Sequence, residues 1–350
     1  MESGDYDIVI VGGGPSGAMA AFSLAKHYRV LVLERFALPR EKSCSGVLVR
    51  KSLDCLSSTM GMPPDSVCCS PKVTSGLAMH TLRRVYEFED PGMNIVRSRF
   101  DYWMLRCAEE RGATLRDRAL VTDMVPREDS IELCGMLAGA RFSLRASLVL
   151  ACDGVNGNSR RICRLPPQNK VVTCQKFYRA DIDMDRSKFV AFTSPEFSRY
   201  DAWVNSKDGC VVVGSIAADR REATAFQSVF EGHLKEAANL RINEELRCEY
   251  WSLPLVQPGN EPVLNAGRVF FCGEAAGLLN PFGEGMSIGM ASAKAISEVI
   301  CGYGLADMEC LAVRYKAALQ TEVSYMKRQW ALLYEIAPEF RANAAGIVVA

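Results

Sequence analysis

The 350-residue sequence predicts an α/β fold: a Rossmann-like domain interrupted by a β-rich insert. Three observations predict it. A glycine-rich βαβ pattern opens the chain in "YDIVIVGGGPSGAMAAFSLAKHYRVLVLER". The same buried-strand style returns late, in "GRVFFCGEAAG". Between them, residues 166–261 change to runs rich in valine and aromatics. A chain of this length suits one large domain carrying a smaller one, or two domains.

The first unit is the clearest. Ile8 to Val11 is a short apolar run, as in a fully buried parallel strand. Gly12, Gly14 and Gly17 follow in GxGxxG spacing, and small residues carry a helix to about Lys26. A second apolar run, Val30–Leu33, ends in Glu34, 22 positions after Gly12. Each part has a physical task. Gly12 makes the tight turn, Gly14 admits a pyrophosphate to the backbone, and Gly17 lets helix and strand pack closely. The helix N-terminus supplies N–H donors and partial positive charge. Glu34 accepts from a ribose hydroxyl and repels a 2′-phosphate. The spacing therefore predicts dinucleotide binding and leaves NAD and FAD open.

"LPREKSCSGVLVRKSLDCL" begins as a polar loop holding Arg40, Lys42 and Cys44 and becomes helical after Gly46. Residues 73–92 read as short strands. "NIVRSRFDYWMLRCAEERGATL" reads as a strand, an Arg-containing turn and an amphipathic helix, with Gly112 as its C-cap. Residues 119–125 and 131–150 read as strands, the last opening into Asp153-Gly154. The insert is an antiparallel sheet broken by a helix near Ala223–Ala237. From Met286 to about Tyr334 the chain is helical, and the tail "QWALLYEIAPEF", with little basic content, packs on the body. These boundaries give three parts: residues 1–72, 93–165 and 262–305; residues 73–92 and 166–261; and a helical segment, 306–350.

Composition narrows the function. Lys+Arg and Asp+Glu both number 41, so broad attraction to nucleic acid is not expected. The 14 cysteines are scattered without a CxxC pair, and only His27, His80 and His233 accompany them, so no metal site is expected. Unpaired cysteines in that number suit a reducing cytoplasm. The N-terminus lacks the basic and apolar regions of a signal peptide. No apolar run reaches the ~20 residues that span a bilayer, which leaves room for peripheral membrane contact.

Three islands now stand in order: GxGxxG, Asp153-Gly154 and Gly273-Glu274. In that order they resemble the flavin-dependent monooxygenase superfamily, the p-hydroxybenzoate hydroxylase-like fold. Within it the chain most resembles the geranylgeranyl reductase family over roughly residues 1–300. "SCSGVLV" resembles that family's Cys-Gly-Gly loop, with Ser45 in place of the first glycine. "VRSRFDYWML" resembles its Arg-x-x-Phe-Asp segment, carrying over Arg97, Phe100 and Asp101. "GEAAGLLNPFGEG" resembles its Gly-Asp-Ala-Ala-Gly…Pro-x-x-Gly-Glu-Gly block, with Glu274 for Asp. "DAWVNSKDG" resembles its Tyr-x-Trp-x-Phe-Pro element. There Trp203 and Lys207-Asp208-Gly209 fit, while Asp201 stands at the Tyr position and Asn205-Ser206 at Phe-Pro. "DGVNGNSRR" has Gly157 where the family has Ser, and Arg160 matches.

The resemblance implies a Rossmann-like FAD-binding domain with an inserted β-rich substrate domain. It implies FAD held by Gly12, Gly14, Pro15, Ser16, Gly17, Glu34 and Arg35 at the adenosine end. Cys44, Ser45, Gly46, Arg97, Asp153 and Gly154 follow, then Gly273 and Glu274, the latter toward the ribityl chain. Pro281, Gly283, Glu284, Gly285 and Met286 complete the set, with the backbone N–H groups of Gly283 to Gly285 facing the flavin N1–C2=O region. Cys44 and Trp203 are the candidate catalytic residues on the substrate side. The implied reaction is hydride transfer from reduced FAD to a carbon–carbon double bond of a hydrophobic, prenyl-type substrate. NAD(P)H as a transient donor, or another reduced carrier, would supply electrons. An aromatic hydroxylase and a non-catalytic flavin-binding protein are the alternatives.

Overall fold

A computed structural model describes residues 5–339. The chain opens with β1 (Asp5–Val11), α1 (Pro15–Leu24) and β2 (Val30–Leu33). Next come β3 (Val47–Leu48), α2 (Arg50–Ser57), β4 (Cys68–Thr74), β5 (Gly76–His80), β6 (Val85–Phe88) and β7 (Gly92–Ile95). α3 (Arg97–Glu110) leads to β8 (Thr114–Arg116), β9 (Ala119–Pro126), β10 (Ile131–Leu137) and β11 (Ala140–Ala151). After the short α4 (Ser159–Ile162) run β12 (Lys170–Asp181), β13 (Lys188–Phe192), β14 (Ala202–Lys207) and β15 (Cys210–Ala217). α5 (Arg220–Ala237), β16 (Arg241–Pro254), β17 (Asn265–Ala266), β18 (Val269–Phe271), α6 (Met286–Tyr303) and α7 (Met308–Ile336) complete the order.

The first sheet runs β17-β18-β11-β1-β2-β8, and β9 and β10 extend it from β11. Its centre is parallel: β1 pairs with both β2 and β11, and β11 with β18. Ile8, Val9 and Ile10 are fully buried, as a strand covered on both faces requires. α1 packs against both α3 and α6 beside this sheet. The second sheet runs β16-β12-β15-β14-β13-β5-β6 and is antiparallel except where β13 meets β5. Its strands alternate. Ala202 and Val204 face α5, packing with Phe230 and Leu234, while Trp203 joins the large core shared with the first sheet. A three-stranded sheet, β3-β7-β4, completes the set.

Four local expectations shift. α1 ends at Leu24, two residues before Lys26. Residues 131–150 form a hairpin rather than one strand, because Ala138 and Gly139 take positive φ and reverse the chain. Strand structure begins at Cys68, ahead of residue 73. Arg97 lies on no turn: β7 stops at Ile95, Val96 is the N-cap, and Arg97 is the first residue of α3. The tail packs on the body through buried Trp330, Leu333 and Ala337; Phe340 lies outside the described residues.

Candidate cofactor and substrate site

Gly12 and Gly17 set the first wall. Gly12 has φ +106°, and a Cβ on it would lie 2.5 Å from the Cys152 carbonyl oxygen. A Cβ on Gly17 would lie 1.9 Å from the Gly12 carbonyl oxygen, so α1 crosses β1 at a distance only glycine permits. Gly14 is the N-cap of α1 and Pro15 follows it. No side chain caps this end, so its N–H groups are left to a ligand. Glu34 is buried at the end of β2. Its Oε2 accepts from Gly13 N–H at 2.9 Å and its Oε1 from Phe36 N–H at 3.0 Å. A spare lone pair remains on Oε1.

A run of alternating charges leads inward from Glu34. Arg40 lies 3.1 Å from Glu34 Oε2 and 3.3 Å from Asp101 Oδ2. Asp101 in turn accepts two bonds from Arg97, at 2.9 and 2.8 Å. Burial alone would raise the Asp101 pKa, but Arg97 and Arg40 hold it below the usual carboxylate range. Burial works against the Arg97 charge too, and Asp101 more than offsets it. The Cys44 sulfur sits against the same Arg97 guanidinium and accepts from Gly46 N–H at 3.3 Å.

The second wall combines the middle and late motifs. Asp153 Oδ2 accepts from the Ser159 N–H at 2.9 Å and its hydroxyl at 2.8 Å. Burial raises the Asp153 pKa against those bonds. Glu274 pairs with Lys42 at 3.1 Å, tying the 38–46 loop to the late motif. Arg35 donates to the Asn156 carbonyl at 3.1 Å. Pro281–Gly283 is one 3₁₀ turn, Gly285 caps α6, and Met286 begins it. Glu284 accepts from Asn280 at 2.9 Å through Oε2, while Oε1 has no partner among the described residues. Its pKa is raised by burial, partly countered by Ser287 and Asn280.

These walls enclose one continuous cavity of about 490 Å³, within the range of cofactor and ligand pockets. Of the residues singled out in the sequence, eighteen line it: Gly12, Gly14, Pro15, Ser16, Glu34, Arg35, Cys44, Ser45, Arg97, Asp153, Gly154, Trp203, Glu274, Pro281, Gly283, Glu284, Gly285 and Met286. Gly17, Gly46 and Gly273 sit directly behind the wall, against the Gly12 carbonyl, the Lys207 ammonium and the Ser16 hydroxyl. Other lining residues escaped the sequence reading of the site. Arg40 and Lys42 were in view, but only as members of a polar loop. Asp201 was in view as a departure from a motif. The α7 residues around Leu333 gave no signal, because only packing brings them there.

A family model described as an FAD binding domain matches residues 5–253. The chain belongs to that family. Its cofactor is FAD, and the uncapped α1 N-terminus, the spare lone pair on Glu34 Oε1 and the cavity fit that group. Among similar proteins is the digeranylgeranylglycerophospholipid reductase 1 of Methanopyrus kandleri, 25% identical over 84% of this chain and 80% of that protein. Another, of the same description, from Methanococcoides burtonii, is 24% identical over 84% of this chain and 74% of its own length. A geranylgeranyl bacteriochlorophyll reductase-like protein from Thermoplasma acidophilum shares the fold over 100% of this chain and 89% of its own. There the TM-score is 0.79 at 15% identity. A flavin-dependent brominase shares it over 98% and 93%, with TM-score 0.73 at 15% identity. This FAD-binding chain is thus an FAD-dependent oxidoreductase, similar to geranylgeranyl reductases, with the fold that monooxygenase-type flavoproteins share. Among the described residues no helix is long and apolar enough to cross a membrane, and no group of three His, Cys, Asp or Glu is placed to hold a metal.

Proposed function

We propose that this oxidoreductase saturates a carbon–carbon double bond of a hydrophobic, prenyl-type substrate. One observation carries the reading: the cavity that starts at the FAD motifs runs on, without a partition, into an apolar end walled by the second sheet and α7. Leu77, Met79, Phe189, Ile216 and Leu333 line that end. The names of the two archaeal relatives support a prenyl chain as its occupant. In this reading the second sheet is the substrate domain and the first is the cofactor domain.

When bound, FAD supplies the hydride. The chain's own residues bind, orient and exclude water. Glu34 takes the adenosine ribose, the N-terminus of α1 the pyrophosphate, and Glu274, aligned by Lys42, the ribityl hydroxyls. Gly283 and Gly285 present backbone N–H groups where negative charge gathers on reduction. Trp203 walls the substrate side. Cys44, beside Arg97, holds a proton within the cavity for the carbon next to the one that receives hydride. Electrons come from NAD(P)H visiting transiently or from a reduced carrier. The free cysteines fit a cytoplasmic setting.

The test is anaerobic. The photoreduced holoenzyme is mixed with geranylgeranyl diphosphate or geranylgeraniol, following flavin absorbance near ~450 nm and product mass. Reoxidation with a gain of two hydrogens supports the proposal. Reoxidation only on admitting oxygen, with an oxygen atom entering a phenolic substrate, sinks it and favours the hydroxylase alternative.

A further inference from the structure

β14 displays Trp203, Asn205 and Lys207 on one face, and Asp201, just before it, has the same parity. Asn205 donates to the Ser45 carbonyl at 3.4 Å, and Lys207 to the Ile95 carbonyl at 2.6 Å. Asp201 and Trp203 instead line the cavity. Asp201 is 1% exposed, and among the described residues its Oδ1 accepts no hydrogen bond. The Trp203 indole N–H, two residues along, is also without a partner among them. Nor does any cation among the described residues answer the carboxyl. Arg199, two residues back, is bound to Glu222 at 2.8 Å. On β12 and β16, Gln175 is bonded to Glu249, which pairs with Arg247 at 2.8 Å. On α7, Lys327 pairs with Glu261, and Tyr334 lies against Trp330.

A buried carboxyl oxygen with no partner costs free energy unless a ligand completes it. In apolar surroundings without a cation it keeps its proton, and burial pushes the Asp201 pKa up to about 7. A neutral carboxylic acid offers one O–H donor, and the indole beside it offers an N–H. We infer that Asp201 recognises an oxygen atom carried by the substrate, so that the apolar end of the cavity selects an oxygenated isoprenoid, a ketone or alcohol, over the bare hydrocarbon. Asp201 is then a specificity-determining residue, a role that rests on the reading of this end as the substrate site. The Tyr-to-Asp departure in the resembling motif acquires a purpose: the donor stays while the side chain shortens, which leaves more room for the substrate oxygen.

The experiment uses the FAD-loaded full chain and two probes, farnesylacetone and its deoxygenated hydrocarbon, with binding read by tryptophan fluorescence. The ketone is expected to weaken roughly tenfold between about pH 6 and pH 8 as the carboxyl ionises. The hydrocarbon stays flat. Asp201→Asn, which keeps an N–H donor, is expected to bind the ketone without pH dependence. Asp201→Leu is expected to lose the preference for ketone over hydrocarbon. Equal FAD content shows that the variants fold, and a carboxyl ¹³C NMR titration of Asp201 in the unliganded protein reads the acid directly. Ketone binding that is flat or tightens with pH, ketone and hydrocarbon responding alike, no binding of either probe, or titration in the ordinary carboxylate range each overturns the inference. Tightening with pH would point to a cationic amine instead. If the ketone pattern holds while no double bond is reduced, the reaction proposed above fails and the recognition site stands.

Discussion

At Gly157 a side chain is missing because the Asp153 carboxyl fills its place: a Cβ there would lie 2.0 Å from Asp153 Cγ. In sequence this was only a departure from a serine. Gly157→Ala is expected to displace Asp153 from Ser159, costing about 1–3 kcal/mol and weakening FAD binding, as thermal melts and FAD titration will show. Asp201 has the opposite legibility. Its departure from tyrosine could be read from the motif, but its unpartnered Oδ1 could not, since, Arg199 apart, the groups that fail to meet it come from distant segments. Its folded-state pKa is raised to about 7, so the folded protein holds this proton more tightly than the unfolded chain does. The stability it contributes is whole below the unfolded value, about pH 4, and is lost as pH rises toward 7. Asp201→Asn should therefore change little near pH 4 and stabilise increasingly up to about pH 8, by at most roughly 4 kcal/mol. Denaturant melts across that range check the sign; a gain confined to low pH would reverse it.

Elements show why the adenosine half was legible. A strand, three spaced glycines, a helix and an acid occupy one local stretch, and their contacts are short in sequence. α1 depends on Gly17, whose Cβ would strike the Gly12 carbonyl at 1.9 Å. Backbone cannot yield there as a flexible side chain can. Gly17→Ala should lift α1 from β1, lower stability by about 3 kcal/mol or more and give protein that purifies colourless; absorbance of the purified variant decides it. The 38–46 loop was opaque for the converse reason. Nothing local announces that Arg40 will bridge Glu34 and Asp101, or that Lys42 will reach Glu274 across 232 positions.

At the scale of the whole molecule, α7 closes the far end of the cavity over the second sheet. Trp330 is its anchor: the indole donates to the Leu279 carbonyl at 2.9 Å, and its ring meets Tyr200 edge-on at 5.8 Å. Trp330→Ala is expected to cost about 3–5 kcal/mol and to weaken binding of hydrophobic ligands more than binding of FAD, measured by parallel titrations. The sequence by itself determined the α/β class and the order of the cofactor motifs, because those signals are periodicity and spacing within short segments; FAD followed from the family resemblance of those motifs. Only the tertiary structure decided that both sheets and α7 line one cavity, that Arg40 and Lys42 tie Glu34, Asp101 and Glu274 together at its wall, and that Asp201 lines it with one carboxyl oxygen unpartnered among the described residues. Such facts rest on which distant side chains meet, and on which find no partner, once the backbone has folded.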